Sequence, residues 1–265
     1  MPDIGNLKPA SLSEYGPWLV EVLKCAEADV TRERYDLITA KLLADIQKGP
    51  VWTGLLDNFQ SWADRYLRDT GYHLFTSPEV PLLRIKPFDS FLLKGLRRNI
   101  LDNQSWPDPP VGGWLFPDNW WTSTPDVIRT ILVVKYLDGV QYLASQIGEL
   151  CEAHTGSCNV DFKASEFGYY AAHVNFNQKV NITKLDWGSD TIALSVEIQI
   201  TTQLQEVIGN LTHQYYEKRR IITEPRNIAW QWDHESDEFV PNYLGHILHY
   251  VEGMIMEVRN REANI

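Results

Sequence analysis

The sequence predicts an α/β fold in which a mixed sheet of about five strands is flanked by helices. Two segments carry the strand prediction. Residues 126–136 are dominated by Ile, Leu and Val, and residues 193–200 alternate apolar and polar side chains. Apolar residues at helical spacing precede and follow these segments, so helices are expected around the sheet and at both ends of the chain. With 265 residues, 44% of them hydrophobic, the chain can form one such domain.

The N-terminal part is expected to be helical. Apolar residues recur at helical spacing through residues 11–47, where Gly49-Pro50 ends the region, and again through residues 52–69. A short extended piece at 82–86 and a helix rich in Leu, Lys and Arg follow. We therefore expect one domain over 1–265, with N-terminal helices in 1–80, a core in 81–220 and a helical extension in 221–265.

Residues 99–125 interrupt this pattern. The segment holds five prolines, two glycines and four tryptophans, with little periodicity. Long irregular segments inside compact domains tend to be functional, and the tryptophans argue against disorder. We expect the segment to cover a functional site or to dock a partner, and an ordinary packed surface loop is the alternative.

The second half of the chain is expected to alternate between strands and helices. After the strand at 126–136, the expected elements are a helix at 140–152, one bent strand or two strands at 167–182, a strand at 193–200, and helices at 203–220 and 242–261. The last helix has an apolar stripe that should pack on the core, formed by Leu244, Ile247, Leu248, Val251, Ile255 and Val258.

Composition excludes several classes of protein. No apolar run is long enough to span a bilayer, and the N-terminus lacks a basic stretch followed by an apolar one, so neither a membrane partner nor secretion is expected. An odd count of three cysteines fits a reducing cytoplasm, where we expect the protein to act. A net charge of −11 disfavours broad coating of nucleic acid.

The most informative residue is an acid, Glu197, at the centre of the predicted strand at 193–200. Alternation places Val196 and Ile198 on one face, and Glu197 and Gln199 on the other. A core-facing strand carries a charge only when that charge has a partner, so this polar face indicates a functional site. The alternative is an exposed sheet face.

A second acid, Asp126, opens the apolar strand at 126–136. If that strand lies beside the strand of Glu197, the two carboxylates can converge on one divalent cation. Carboxylates at strand ends, together with substrate phosphates, are the usual ligands of Mg²⁺. The alternative is that Asp126, which follows Pro125, is only a turn residue.

Two further groups have the chemistry of a nucleotide site. Arg84, Lys86 and Lys94 can surround a triphosphate, although a solvated basic face is the commoner fate of such runs. Tyr169 and His173 are four residues apart, which in a strand places them on one face. A tyrosine can stack on a purine and a histidine can bond a phosphate, with a core aromatic strand as the alternative.

Taken in order, these motifs resemble the synthetase domain of the RelA/SpoT-type enzymes. The match extends over residues 82–218, and it depends on the order of four short motifs. The matching positions are Arg84-x-Lys86 with Ser90 and Lys94, then Asp126, then Gly168-Tyr169-x-x-x-His173, then Val196-Glu197-Ile198-Gln199-Ile200 followed by a helix with His213.

The resemblance implies a nucleotidyltransferase-like fold and a pyrophosphokinase. Such an enzyme moves the β,γ-diphosphate of ATP to the 3′-hydroxyl of a purine nucleotide, such as GDP or GTP, and releases AMP. The resemblance also implies Mg²⁺ held by Asp126 and Glu197, with Glu197 taking the proton of the 3′-hydroxyl. The implied ATP contacts are Arg84, Lys86, Ser90 and Lys94, and the implied acceptor contacts are Tyr169, His173 and Gln199.

The chain departs from the family pattern at the Asp strand. The family usually has D-x-x-G-x-R there, and its Arg packs on the adenine of ATP. In this chain Ile131 replaces the Arg and Arg129 replaces the Gly. Residues two apart in a strand share a face, so we hypothesise that Arg129 supplies the missing cation over adenine.

Three activities remain open at this point. The first is a small stand-alone synthetase of (p)ppGpp-type or adenosine alarmones. The second is a toxin, paired with an antitoxin, that modifies the 3′ end of tRNA; its RNA contact would be the basic cluster Lys218, Arg219, Arg220 and Arg226. The helical tail Tyr243-Leu244-Gly245-His246-x-x-His249 resembles that toxin branch. The third is a nucleotide-binding module without transfer, against which the intact Asp126 and Glu197 argue.

Overall fold

One mixed sheet organises the molecule. The computed structural model describes residues 8–77, 79–183, 188–211 and 230–262. Within these ranges five strands pair in the order β1-β2-β5-β4-β3, with β2 and β5 parallel and the other neighbours antiparallel. The predicted α/β class and the sheet of about five strands are therefore confirmed. The strands are β1 (Arg84–Ile85), β2 (Ile128–Val134), β3 (Cys158–Ala164), β4 (Tyr170–Thr183) and β5 (Ser189–Thr202).

Helices flank the sheet and occupy both ends of the described chain. They are α1 (Leu12–Glu21), α2 (Arg32–Gln47), α3 (Pro50–Thr70), α4 (Phe88–Leu96), the single turn α5 (Trp120–Ser123), α6 (Leu137–Thr155), α7 (203–211) and α8 (Phe239–Glu262). The expected helical region at 11–47 is thus two helices. Lys24 has a φ of 60° between them, a left-handed conformation that a helix does not accommodate.

Local sequence signals fix the ends of the longest helices. Pro50 begins α3 directly after Gly49, where its missing N–H costs nothing. Gly71 ends α3 in the left-handed conformation with a φ of 76°, as Gly156 ends α6. Val174 and Ile198, on one side of the sheet, are fully buried in the main core, as are Leu143 and Ile147 of α6.

The observed strands differ from the predicted ones at three places. Strand β3 was not predicted, because its alternating residues Val160 and Phe162 are separated by charged ones and remain partly exposed at the sheet edge. Asp126 does not open a strand. It lies in a turn two residues before Ile128, where β2 begins. Residues 167–182 contain one strand, β4, whose start is Tyr170.

The Trp-rich segment 99–125 packs against the N-terminal helices. Trp106 and Trp114 contact Trp18 of α1, and Trp121 stacks on Tyr35 of α2 with ring centroids 5.7 Å apart. Buried Trp120 meets Phe91 of α4 edge to face, which completes an aromatic layer. These contacts show that the four tryptophans are packed against the helices, and a role of the segment in covering a site or docking a partner stays a prediction.

Helix α8 packs differently from the prediction. In its apolar stripe Ile247, Ile255 and Val258 are exposed, Leu244, Leu248 and Val251 are half-buried, and none of the six belongs to the main core. The side against the protein is polar and includes buried Glu252 and Arg259. The prediction that the apolar stripe packs on the core is wrong, because α8 is held to the sheet end by hydrogen bonds and ring stacking. No helix of the described ranges is long and apolar enough to cross a membrane.

Candidate active site

A row of five side chains crosses the sheet through Glu197. Register pairing places Arg129 of β2 on one side of Glu197 and Asn175 of β4 on the other. Arg84 of β1 pairs with Arg129, and Asn159 of β3 pairs with Asn175. Directly paired residues share a sheet face, so all five lie on one face. Two cations thus flank the carboxylate toward β1, and two amides flank it toward β3.

Glu197 is a buried and ionised carboxylate. It is only 8% exposed, which excludes the alternative of an exposed sheet face. Its Oε1 accepts a hydrogen bond of 2.6 Å from Gln199 Nε2, and its Oε2 lies 3.1 Å from His173 Nδ1. Burial pushes the pKa of Glu197 up, but the bonds from His173 and Gln199 outweigh burial, so the pKa lies below its usual value.

Tyr169 and His173 continue this network toward solvent. The Tyr169 hydroxyl lies 2.8 Å from His173 Nε2. With Nδ1–H donating to Glu197, Nε2 is free to accept the hydroxyl proton, so one neutral tautomer satisfies both bonds. Burial raises the pKa of the Tyr169 hydroxyl to about 12, so that hydroxyl keeps its proton. Tyr169 is 42% exposed and can present its ring to a ligand.

Asp126 holds two lysines. The Nζ atoms of Lys86 and Lys94 each lie 2.6 Å from one of its carboxylate oxygens. Burial raises the pKa of Asp126, but the two ammonium groups outweigh burial and lower it to about 2. The side chain of Lys86 is 9% exposed, and this burial lowers the pKa of Lys86 despite its partner. Lys86 and Lys94 are therefore organised around one acid.

Asp126 and Glu197 are the two carboxylates of the predicted Mg²⁺ site. The pKa of Glu197 is lowered overall, and the negative charge of Asp126 is a minor influence that opposes this lowering, so the two carboxylates interact. In the described ranges no three His, Cys, Asp or Glu side chains cluster as metal ligands. Two carboxylates that leave the other positions to phosphates and water match the way proteins hold Mg²⁺. Lys86 and Lys94 each occupy one oxygen of Asp126, and each oxygen keeps a second lone pair that a cation could use.

The other predicted residues fall into two groups. Ser90 and Lys94 are four residues apart on α4, which places them on the same side of that helix. Exposed Arg84 lies opposite Arg129 on the neighbouring strand. The structure therefore gathers the predicted ATP contacts near the β1–β2 edge. His213 and the predicted RNA cluster, Lys218, Arg219, Arg220 and Arg226, lie outside the described residues.

The sequence interpretation missed the two amides of the row, Asn159 and Asn175. A signal for Asn175 was present, since it lies two residues after His173 and so shares its face in a strand. Asn175 is half-buried beside Glu197, and its Oδ1 has no hydrogen-bond partner among the residues that the structure describes. No comparable signal existed for Asn159, because β3 itself was not predicted.

Comparison with known proteins identifies the fold. No protein family profile and no curated protein sequence matches the chain. Solved structures do match. The small alarmone synthetase 1 from Bacillus subtilis superimposes with a TM-score of 0.54 at 15% identity, over 88% of this chain and 98% of that one. This chain has the fold of the small alarmone synthetases.

Two further structures with the small alarmone synthetase fold agree with this result. The Bacillus subtilis enzyme bound to its product pppGpp gives a TM-score of 0.51 at 15% identity, over 87% of this chain and 97% of that one. A GTP pyrophosphokinase family protein from Streptococcus pneumoniae gives 0.50 at 16% identity, over 86% and 93%. The resemblance predicted from the motifs is therefore confirmed at the level of the fold.

Proposed function

We propose that this protein is an ATP-dependent pyrophosphokinase. It transfers the β,γ-diphosphate of ATP to the 3′-hydroxyl of a purine nucleotide such as GDP or GTP, giving a (p)ppGpp-type alarmone and AMP. The observation that carries this proposal is the placement of Glu197. A buried, ionised carboxylate lies between arginines on one side and amides on the other, in the fold of the small alarmone synthetases.

Glu197 is the proposed proton acceptor. The acceptor's 3′-oxygen attacks the β-phosphorus of ATP, the bond from that phosphorus to the oxygen of the α-phosphate breaks, and AMP leaves. The proton of the 3′-hydroxyl passes to Glu197. Hydrogen bonds from His173 and Gln199 fix both oxygens of this carboxylate, so the base is oriented before the acceptor arrives.

The cations on the β1–β2 side hold the donor. Phosphoryl-type transfer depends on positioning and charge neutralisation more than on covalent chemistry. Arg129 is paired with Glu197 and Arg84 with Arg129, so both offer guanidinium groups on the same sheet face, and Lys86 and Lys94 offer ammonium groups around Asp126. Ser90, on the same side of α4 as Lys94, supports them.

Asp126 and Glu197 would hold Mg²⁺, which when bound neutralises charge on the phosphates. In the described structure Asp126 is already neutralised by Lys86 and Lys94. These lysines would therefore turn from the carboxylate to the ATP phosphates as the nucleotide binds. The same two cations would thus pair with Asp126 before ATP binds and with the phosphates afterwards.

The acceptor side is formed by β4 and the turn before it. The half-exposed ring of Tyr169 can stack on the acceptor base, and its hydroxyl is tied to His173. His173 and Gln199 flank Glu197 and line the ribose or phosphate. Asn175 adds an amide on this side of the base.

The proposal is tested by separating acceptors. The protein is incubated with Mg²⁺ and ATP labelled at the β- or γ-phosphate, and with GDP, GTP, AMP, ADP, further ATP or tRNA in separate reactions. We expect label on GDP or GTP together with release of AMP. Label confined to tRNA would instead identify the toxin activity. ATP binding without transfer to any acceptor would identify a nucleotide-binding module.

The role of Arg129 gives a separate prediction. Arg129→Ala should raise the ATP Michaelis constant by roughly three- to thirtyfold, the value of a cation stacked on an aromatic ring, and leave that of the acceptor nearly unchanged. Arg129→Lys should recover only part of the effect, since an ammonium lacks the planar surface. Arg65→Ala is the control, because Arg65 contacts Gln146 on α6. An unchanged ATP Michaelis constant in Arg129→Ala would refute the role.

A further inference from the structure

We propose that helix α8 is part of the acceptor site, because it holds the turn that carries Tyr169. Gly245, His246 and His249 are then positioning residues that act through Tyr169 and touch no reacting atom. This inference rests on the proposed function, since it assigns α8 a role in acceptor binding. Three sets of contacts support it.

The first contact joins two backbones. Gly168, directly before Tyr169, has a φ of 75°. A Cβ on Gly168 would lie 2.3 Å from the carbonyl oxygen of Asn242, and a Cβ on Gly245 would lie 2.3 Å from the carbonyl oxygen of Gly168. Both distances are far shorter than van der Waals contact. The turn and the helix therefore touch at glycines, and no side chain fits between them.

The second contact involves Tyr170, directly after Tyr169. Its ring stacks on His249 with centroids 3.7 Å apart and planes 7° from parallel. Its hydroxyl lies 2.8 Å from His246 Nδ1, while His246 Nε2 lies 3.0 Å from the carbonyl oxygen of Glu166. A carbonyl only accepts, so Nε2–H donates to Glu166 and Nδ1 accepts from Tyr170. Both ends of the turn are thus bound to His246.

The third contact ties α8 to the strand of Glu197. The Thr202 hydroxyl, at the end of β5, donates to the carboxylate of Glu252. Gln205 Nε2 donates to the carbonyl oxygen of Gly245 at 3.2 Å. Glu252 is 5% exposed, so these bonds lie inside the protein. One helix therefore sets the turn of Tyr169 relative to the strand that carries the proposed base.

Tyr169 needs this support because little else holds its ring. The residue is 42% exposed, and within the described part of the chain its side chain hydrogen-bonds to His173 alone. Gly168 and Tyr170, on either side of it, are both fixed by α8. A displaced helix would thus move the stacking surface for the acceptor base. The donor residues on β1, β2 and α4 would stay in place.

The test is Gly245→Ala, with Gly253→Ala as the matched control. A Cβ at Gly253 of the same helix meets nothing within 4 Å, so the control changes helix propensity and no contact. We expect Gly245→Ala to raise the acceptor Michaelis constant roughly tenfold or more, because small misplacements of binding groups cost heavily, and to leave that of ATP within about twofold. Hydrogen–deuterium exchange should become faster in residues 165–173 and stay unchanged in Gly253→Ala.

Tyr170→Phe is the second test variant, and it replaces Gly245→Ala if that variant does not fold. It removes the bond to His246 and keeps the stack on His249, so we expect a roughly threefold rise in the acceptor Michaelis constant alone. Transfer with an unchanged acceptor constant, or an equal change in both constants, overturns this inference and leaves the proposed function standing. Failure of the unmodified protein to transfer to any acceptor overturns both.

Discussion

Glu197→Gln is expected to lower the turnover of diphosphate transfer by a factor on the order of 10²–10⁴, the usual contribution of a positioned base. The amide keeps the shape of the side chain, and its oxygen can still accept the bond from Gln199, while its NH2 faces His173 Nδ1, which must then accept. The amide cannot take up the proton of the attacking hydroxyl. Without Mg²⁺, binding of ATP should not weaken, because the variant removes a negative charge beside the phosphates; with Mg²⁺, loss of a proposed ligand should weaken it.

Single-turnover transfer with saturating nucleotides measures this effect, together with the ATP dissociation constant from calorimetry. Glu206→Gln is the matched control, since Glu206 is an exposed residue of α7. It should behave like the unmodified protein. Turnover in Glu197→Gln within a few-fold of the unmodified protein would show that another group, or water alone, accepts the proton.

Asp126→Asn is expected to have the second-largest effect. Turnover should fall by at least roughly 10²-fold and respond little to added Mg²⁺, because one of two proposed oxygen ligands loses its charge. The variant also leaves the buried ammonium of Lys86 without its counter-charge. Breaking such a pair from one side should cost up to about 3 kcal/mol of unfolding free energy. Asp89→Asn removes an exposed pair with Arg32 and is the control for both measurements.

Asp126 also predicts how stability depends on pH. Its pKa is lowered from 3.8 to about 2 in the fold, so the folded state favours the ionised form. This contribution to stability is present above the ordinary pKa and is lost as the pH falls from about 4 toward 2. The difference in unfolding free energy between the unmodified protein and Asp126→Asn, measured with urea, should shrink across that interval. A constant difference would contradict the assignment.

The part of the site that could be predicted from the sequence is the part that lies on a single strand, β5. Period-two alternation was sufficient to place Glu197 and Gln199 together opposite the core. Pairing between distant segments was not visible in the sequence. Lys86 and Lys94 reach Asp126 across 40 and 32 residues, and nothing in their local sequence indicates that they neutralise an acid before any nucleotide binds. The same limit applies to Asn159, whose strand lies at the sheet edge.

The difference between the predicted and the observed buried side of α8 has another cause. Periodicity reports that a helix has an apolar stripe, but not which side of the helix faces the protein. The inner side of α8 is selected by specific contacts, such as the close approach of Gly245 to Gly168 and the stack of His249 on Tyr170. Such contacts depend on the three-dimensional position of the Gly168 turn. Local pattern alone predicted the helix correctly and its buried face wrongly.

The row of side chains through Glu197 limits where insertions and deletions can be tolerated in this protein. Each strand contributes one residue to the row, so the sheet face on which Glu197 lies depends on whether residues are inserted into β5 in odd or even number. Insertion or deletion of a single residue just before Glu197 would move its carboxylate to the buried face of the sheet. A neighbouring valine or isoleucine would then lie on the face of the proposed site. Insertion of an even number of residues would keep every side chain on its face and would only shift the register of β5 against its neighbours. Insertions in this protein should therefore accumulate in the loops between elements, while the number of residues within β5 stays constant.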